Sequence, residues 1–161
     1  MPRLFPIVLL MATAAARGAI VYAGGSWAAI DRGSQCEALS RSVKIAAKGK
    51  VQAIAGFTFT ADRSHWGEFH ARLSRMPRAN ASVMLKVGDQ PFLLVARGND
   101  AWSSGPLQDQ AIIAAMRNGG WITVESRDRA GGRFADPYNS DGAATAIDAA
   151  AARCAGKMQA H

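Results

Sequence analysis

Residues 53–73 read AIAGFTFTADRSHWGEFHARL, and the alternation in this stretch decides the fold class. Ala55, Phe57 and Phe59 fall on one side of the first half and threonines fall on the other, as in a half-buried strand. Residues 65–73 alternate in the same way, and the polar residues between the two halves are typical of a turn. The stretch therefore predicts a β-hairpin with one buried face.

Similar short runs occur along the chain, and helical spacing appears near its end. Seven or eight short strands are predicted, at residues 27–31, 36–43, 53–61, 65–73, 82–87, 90–97, 121–127 and 133–138. One predicted helix begins after Gly105, with Pro106 in its first turn, and the second carries Ile147 and Cys154 on its apolar face. We therefore expect an α+β fold of mostly antiparallel strands, a sandwich or partly open barrel with two helices in the C-terminal half.

The first 23 residues have the three-part layout of a secretory signal peptide. A positive start at Arg3 is followed by an apolar run and then by small residues. The sequence predicts cleavage after Ala23, with a cut after Ala16 as the alternative, and residues 24–161 then form a single exported β-rich domain. The apolar run has about half the roughly 20 residues that a bilayer-spanning helix needs, so it is not expected to be a permanent anchor. The sequence has no further apolar run of spanning length, so the mature chain is predicted to lack a transmembrane segment.

The chain has two cysteines, Cys36 and Cys154. In an exported chain a pair of cysteines has one intramolecular pairing, so a disulfide bond is predicted between them. Closing a loop of this length stabilises a fold by about 4 to 5 kcal/mol in the chain-entropy model. The bond would place an early strand beside the last helix.

The chain is basic, with 19 Lys and Arg against 12 Asp and Glu and a formal net charge of +7. This surplus favours an anionic component of the cell envelope as a partner, such as a lipid headgroup layer or an acidic polysaccharide. Another envelope protein is the second kind of partner that we expect. Nucleic acid is excluded as a partner because the basic residues are scattered among acids and form no nucleic-acid-binding motif.

The densest group of chemically versatile side chains is a candidate surface binding patch formed by Trp66, Glu68, His70, Arg72 and Trp102. On a regular strand the first four of these residues share one face, so Trp66 is expected beside Glu68, and Trp102 lies in a predicted loop where exposure is expected. A solvated strand face with cross-strand charge pairs is the simplest interpretation of the three polar residues. The alternative is a small periplasmic hydrolase that uses His70 with Glu68 and Arg72.

No other pattern in the sequence points to catalysis. His65 and His70 are five residues apart and point to opposite faces of a regular strand, so no metal site is predicted. A Gly-x-Ser-x-Gly nucleophile turn is lacking, and the glycine pairs are typical of turns rather than of a cofactor cradle. We expect a binding or envelope-associated module without an evident catalytic site, metal or cofactor.

The C-terminal half resembles a known family. Residues 111–119 form a short predicted helix ending in AAMRNG, followed by a strand, two glycines and the run GAATAID at residues 142–148. Together with the leader, Trp27 and Cys36 in this order, they are similar to proteins of the invasion-associated locus B family. The resemblance implies an exported bacterial protein of the periplasm or cell envelope with a β-sandwich-like fold, and no catalytic residues.

Overall fold

The computed structural model describes residues 18–157, so the predicted leader up to Ala16 lies outside the described residues. This part of the chain contains ten strands and two helices. They are β1 (Ala19–Gly24), β2 (Trp27–Asp31), β3 (Gln35–Arg41), β4 (Ile54–Thr60), β5 (Trp66–Arg72), β6 (Val83–Val87), β7 (Gln90–Arg97), β8 (Asp100–Trp102), α1 (Pro106–Arg117), β9 (Trp121–Arg127), β10 (Arg133–Asn139) and α2 (Ala143–Lys157).

The strands form one antiparallel sheet in the order β1-β2-β3-β4-β5-β8-β7-β6-β9-β10, which does not close into a barrel. Strand β7 links its two parts, because Gln90 to Leu94 pair with β6 whereas Val95 to Arg97 pair with β8. A strand shared in this way lets the sheet turn from one layer into another. The predicted α+β fold with a sandwich-like antiparallel sheet is confirmed.

Both helices pack on the same side of the sheet. Helix α2 lies against β1 to β5, and α1 lies against β5, β6, β7 and α2. The predicted hairpin supplies the aromatic centre of the core, where the fully buried rings of Phe57 and Phe69 meet edge to face at 5.4 Å. Ile112 of α1 and Ile147 of α2 are buried in the same core. No helix within residues 18–157 has both the length and the apolar character needed to cross a membrane.

The predicted disulfide is confirmed. Cys36 on β3 and Cys154 on α2 are bonded, with their Cα atoms 5.8 Å apart. Beside this bond, the buried carboxylate of Asp31 accepts hydrogen bonds from Lys157 Nζ and, at 2.6 Å, from Arg153 Nε. The last helix is therefore held to the β2–β3 hairpin by a covalent bond and by a charge cluster.

The structure contains two strands that were not among the seven or eight predicted, β1 and β8. Strand β1 falls inside the stretch assigned to the leader, and the preferred cut after Ala23 would remove five of its six residues, whereas a cut after Ala16 leaves it whole. Strand β8 falls inside the predicted loop that carries Trp102. It has three residues, too few for an alternating pattern to be recognised.

Candidate functional site

A wide groove of about 1400 Å³ opens beside strands β6, β9 and β10. Met84, Lys86 and Glu125, which alternate with buried core residues, supply part of its surface. Two loops also contribute to its lining, residues 43–51 and residues 74–82. We refer to these as the lysine loop and the arginine loop.

The groove is strongly cationic. Seven basic side chains line it: Lys44, Lys50, Arg75, Arg78, Lys86, Arg127 and Arg133. They face three acidic residues, Glu125, Asp128 and Asp136. The lining thus has a surplus of four positive charges, which is more than half of the formal net charge of +7 of the chain. A concave surface lined by one sign of charge concentrates ions of the opposite sign.

Two of the basic residues are paired with carboxylates. Arg75 Nη1 lies 3.0 Å from Asp128 Oδ2, and Lys86 Nζ lies 2.6 Å from Glu125 Oε1. The hydrogen bond from Arg75 is the largest influence that lowers the pKa of Asp128. These two cations are therefore partly neutralised, although both pairs are solvent-exposed and weak.

The other five basic residues of the groove have no carboxylate partner within 4.0 Å in residues 18–157. Lys44 Nζ donates instead to the carbonyl of Ala135 at 3.0 Å, and Arg127 Nη1 donates to that of Gly131 at 3.0 Å. The remaining three of these five basic residues are Lys50, Arg78 and Arg133. Their charges are available to an anion that enters the groove.

The lysine loop is held firmly at its base. Val43 N–H donates to the carbonyl of Pro137 on β10 at 2.9 Å. The side-chain amide of Gln52 accepts from the Ala46 N–H at 2.9 Å and donates to the carbonyl of Lys44 at 3.2 Å. Because these bonds bridge the loop, its lysines are presented from a defined backbone.

The arginine loop is anchored to β9 and β10. Asp136 is buried, and its carboxylate accepts hydrogen bonds from both Ser74 Oγ, at 2.5 Å, and Ser74 N–H, at 2.9 Å. Further along, Arg78 N–H donates to the carbonyl of Arg127 at 3.0 Å, and Pro77 forms a bridge with Asp128. Asp136 therefore serves to position the loop.

The structure places the predicted patch elsewhere, on the outer face of β5, where its polar residues have separate partners. Glu68 Oε2 lies 2.9 Å from His65 Nδ1, and Arg72 Nε lies 3.3 Å from Asp100 Oδ1. Neither pair involves His70. The pair of Arg72 and Asp100 joins β5 to β8, as expected of a solvated strand face, whereas His65 and Glu68 are neighbours along one segment of the chain.

His70 is half-buried on this face. Its Nδ1 lies 3.3 Å from Thr58 Oγ1, and Trp102 is its cross-strand partner on β8. Burial is the main influence on the pKa of His70 and lowers it, against the opposing effect of Glu37, Glu68 and Asp100. Trp102 is itself half-buried in a strand, whereas an exposed position in a loop was expected.

The position of Trp66 corrects the prediction that it shares the face of Glu68. Phe59 pairs with Trp66 while Thr58 pairs with Glu68, so the ladder contains a bulge at Gly67, whose φ is +76°. The bulge brings the indole against the core, with its ring 5.3 Å from that of Phe59 and nearly perpendicular to it. Trp66 is thereby separated from the polar residues of the patch.

The sequence reasoning did not predict the groove, because its lining comes from segments between Lys44 and Asp136 that only the fold brings together. The local signals were the spacing of lysines at 44, 48 and 50 and of arginines at 75 and 78. Within residues 18–157, no group of three or more His, Cys, Asp or Glu side chains could hold a metal ion.

Comparison of the chain with protein-family models, with curated proteins and with solved structures gives no significant match. The function is therefore inferred from the geometry of the groove and the chemistry of its residues.

Proposed function

We propose that the protein is an exported binding module that takes an anionic component of the bacterial envelope into the cationic groove. The observation that carries this proposal is the set of five basic side chains that line one concavity without carboxylate partners among the described residues. Each of them could pair with a phosphate or carboxylate group of a ligand, and arginine offers two parallel donors for such groups. Binding of an anionic group in this way requires no catalytic step.

Three features support export and an envelope location. The leader-like first residues and the disulfide both suit a chain that crosses a membrane into an oxidising compartment. The pattern of residues 111–148, together with the order of leader, Trp27 and Cys36, is the basis on which we propose membership of the invasion-associated locus B family. Fractionation of the source cells, with N-terminal sequencing of the protein recovered outside the cytoplasm, tests the export.

Binding is tested with two soluble probes that separate the anion types, inorganic polyphosphate and polygalacturonate. We expect the wild-type protein to bind one of them at low salt and to release it as salt rises, because screening weakens exposed charge pairs. Arg78→Glu is expected to weaken binding about tenfold, since it replaces an attraction inside the groove by a repulsion.

The matched control is Arg97→Glu, which makes the same charge change at an exposed residue of β7 outside the groove. It should change the affinity by no more than about twofold. Equal losses in the two variants would show that overall charge, rather than the groove, attracts the probe. Failure of the wild-type protein to bind either polyanion would contradict the proposed function.

A further inference from the structure

The lysine loop exposes aliphatic side chains between its cations. Val43, Ile45 and Val51 are 48%, 77% and 41% exposed, and Lys44 lies between the first two. Exposed aliphatic side chains contribute nothing to the core of this domain and leave apolar surface in contact with water. Their alternation with lysines is instead typical of segments that lie in a membrane interface.

The arginine loop also exposes one large apolar side chain among its cations. Met76 is 36% exposed and lies between Arg75 and Arg78, both of which line the groove. Ile45 and Val51 also line the groove, so the lysine loop contributes both apolar and cationic groups to it, and the arginine loop adds cations with Met76 exposed beside them. A bilayer offers both matching chemistries at one surface, acyl chains for the aliphatic groups and phosphates for the cations.

The anchoring of both loops favours this mode of binding. The bonds from Val43 to Pro137 and from Arg78 to Arg127 hold the loop backbones before any ligand is present. Binding then does not need to order the backbone, and little conformational entropy is lost.

We infer that the two loops dock the domain on a bilayer rich in anionic phospholipid, with Ile45 entering the interface and the groove facing the headgroups. This inference rests on the proposed function, since the same cations of the groove contact the lipid phosphates. It adds an apolar contribution that a soluble polyanion cannot provide.

The test is sedimentation of the intact disulfide-bonded protein with vesicles. Vesicles of phosphatidylglycerol mixed with phosphatidylcholine should bind the protein, and vesicles of phosphatidylcholine alone should not. Ile45→Ser is expected to lower partitioning onto the mixed vesicles about tenfold, because the lost side chain no longer leaves water. Its binding to the soluble polyanion should stay the same, since no charge is changed.

Leu107→Ser is the matched control. Leu107 is 84% exposed, even more than Ile45, but lies on α1 between Pro106 and Gln108 and outside the groove. Its replacement should leave partitioning unchanged. Because both side chains are exposed, neither substitution removes core packing, and an unchanged near-ultraviolet circular dichroism spectrum confirms the fold.

The outcomes separate the two proposals. A protein that binds the soluble polyanion but not the mixed vesicles, or whose Ile45→Ser variant partitions like the wild type, overturns the membrane docking alone. Equal binding to both kinds of vesicle also overturns it, because the charges would then play no part. A protein that binds neither of the soluble polyanions overturns the proposed function, and one that also fails to bind the mixed vesicles overturns both proposals.

Discussion

Asp31 and Cys36 lie opposite each other in the β2–β3 hairpin, and each is bonded to the last helix. Cys36 is joined to Cys154, and Asp31 accepts hydrogen bonds from Arg153 and Lys157. The two attachments are adjacent in the sheet but differ in chemistry. The covalent one responds to reduction and the ionic one to pH, so their contributions to stability can be measured separately.

Removal of the disulfide should destabilise the domain substantially. The bond joins residues 118 positions apart, and a loop of this size corresponds to a loss of about 5 kcal/mol in the free energy of unfolding for Cys36→Ala with Cys154→Ala. Urea unfolding of the variant and the oxidised wild type measures the difference. A loss below about 1 kcal/mol would mean that the unfolded chain gains little freedom when the bond is removed.

Replacement of Asp31 should remove a contribution that depends on pH. The hydrogen bond from Lys157, followed by those from Gly33 N–H and Arg153, holds the pKa of Asp31 well below its ordinary value. The stabilisation is therefore complete above the pKa of an unfolded aspartate, about 3.9, and is lost as the pH falls below it towards the folded pKa. Asp31→Asn should cost about 1 to 2 kcal/mol at pH 7 and progressively less in acid.

The control for Asp31 is Asp148→Asn, which breaks the exposed pair between Asp148 and Arg117. This variant should lose no more than about 1 kcal/mol of unfolding free energy at neutral pH, because water already screens that pair. Thermal unfolding of both variants and the wild type at several pH values gives the comparison. If the difference in stability between Asp31→Asn and the wild type stayed constant across the acid range, the pH-dependent stabilisation assigned to Asp31 would be contradicted.

Asp109 should show the opposite dependence on pH. This carboxyl is buried at the start of α1, and its Oδ1 accepts the Phe69 N–H at 2.9 Å. Burial raises its pKa. The folded state then holds the proton more tightly than the unfolded state, so the stability that Asp109 contributes declines as pH rises through the raised pKa.

Asp109→Asn keeps an oxygen acceptor for Phe69 but cannot ionise. The free energy of unfolding of this variant should therefore increase relative to the wild type as the pH is raised from about 4. Chemical unfolding at matched pH values provides the measurement. If instead the free energy of unfolding of the wild type rose relative to that of the variant with rising pH, the surroundings of Asp109 would stabilise its carboxylate rather than destabilise it through burial.

The sequence was most informative where a pattern is local. The alternation of Phe57 and Phe69 with polar neighbours predicted their burial, because side chains on successive strand residues point to opposite faces. The same rule misplaced Trp66, since the bulge at Gly67 interrupts the alternation. A glycine inside a strand was the available signal, and a Cβ added there would also lie 2.9 Å from Ile113 Cδ1.

The groove could not be predicted in this way. Its basic residues come from two loops and from the outer positions of three strands, and no period relates Lys50 to Arg78 or Arg133. Their proximity depends on the pairing of β9 with β6 and β10, and on the backbone hydrogen bonds that hold each loop in place. The charge count indicated a basic protein surface, whereas the fold was needed to locate the groove where its cations gather.

The distance between the two sulfurs along the chain also has a consequence for biogenesis. Because synthesis runs from the N-terminus, Cys36 is made early and its partner Cys154 follows 118 residues later. Until then Cys36 remains a thiol that can form mixed disulfides with other thiols. The disulfide can therefore secure the terminal helix only when nearly the whole domain has been made.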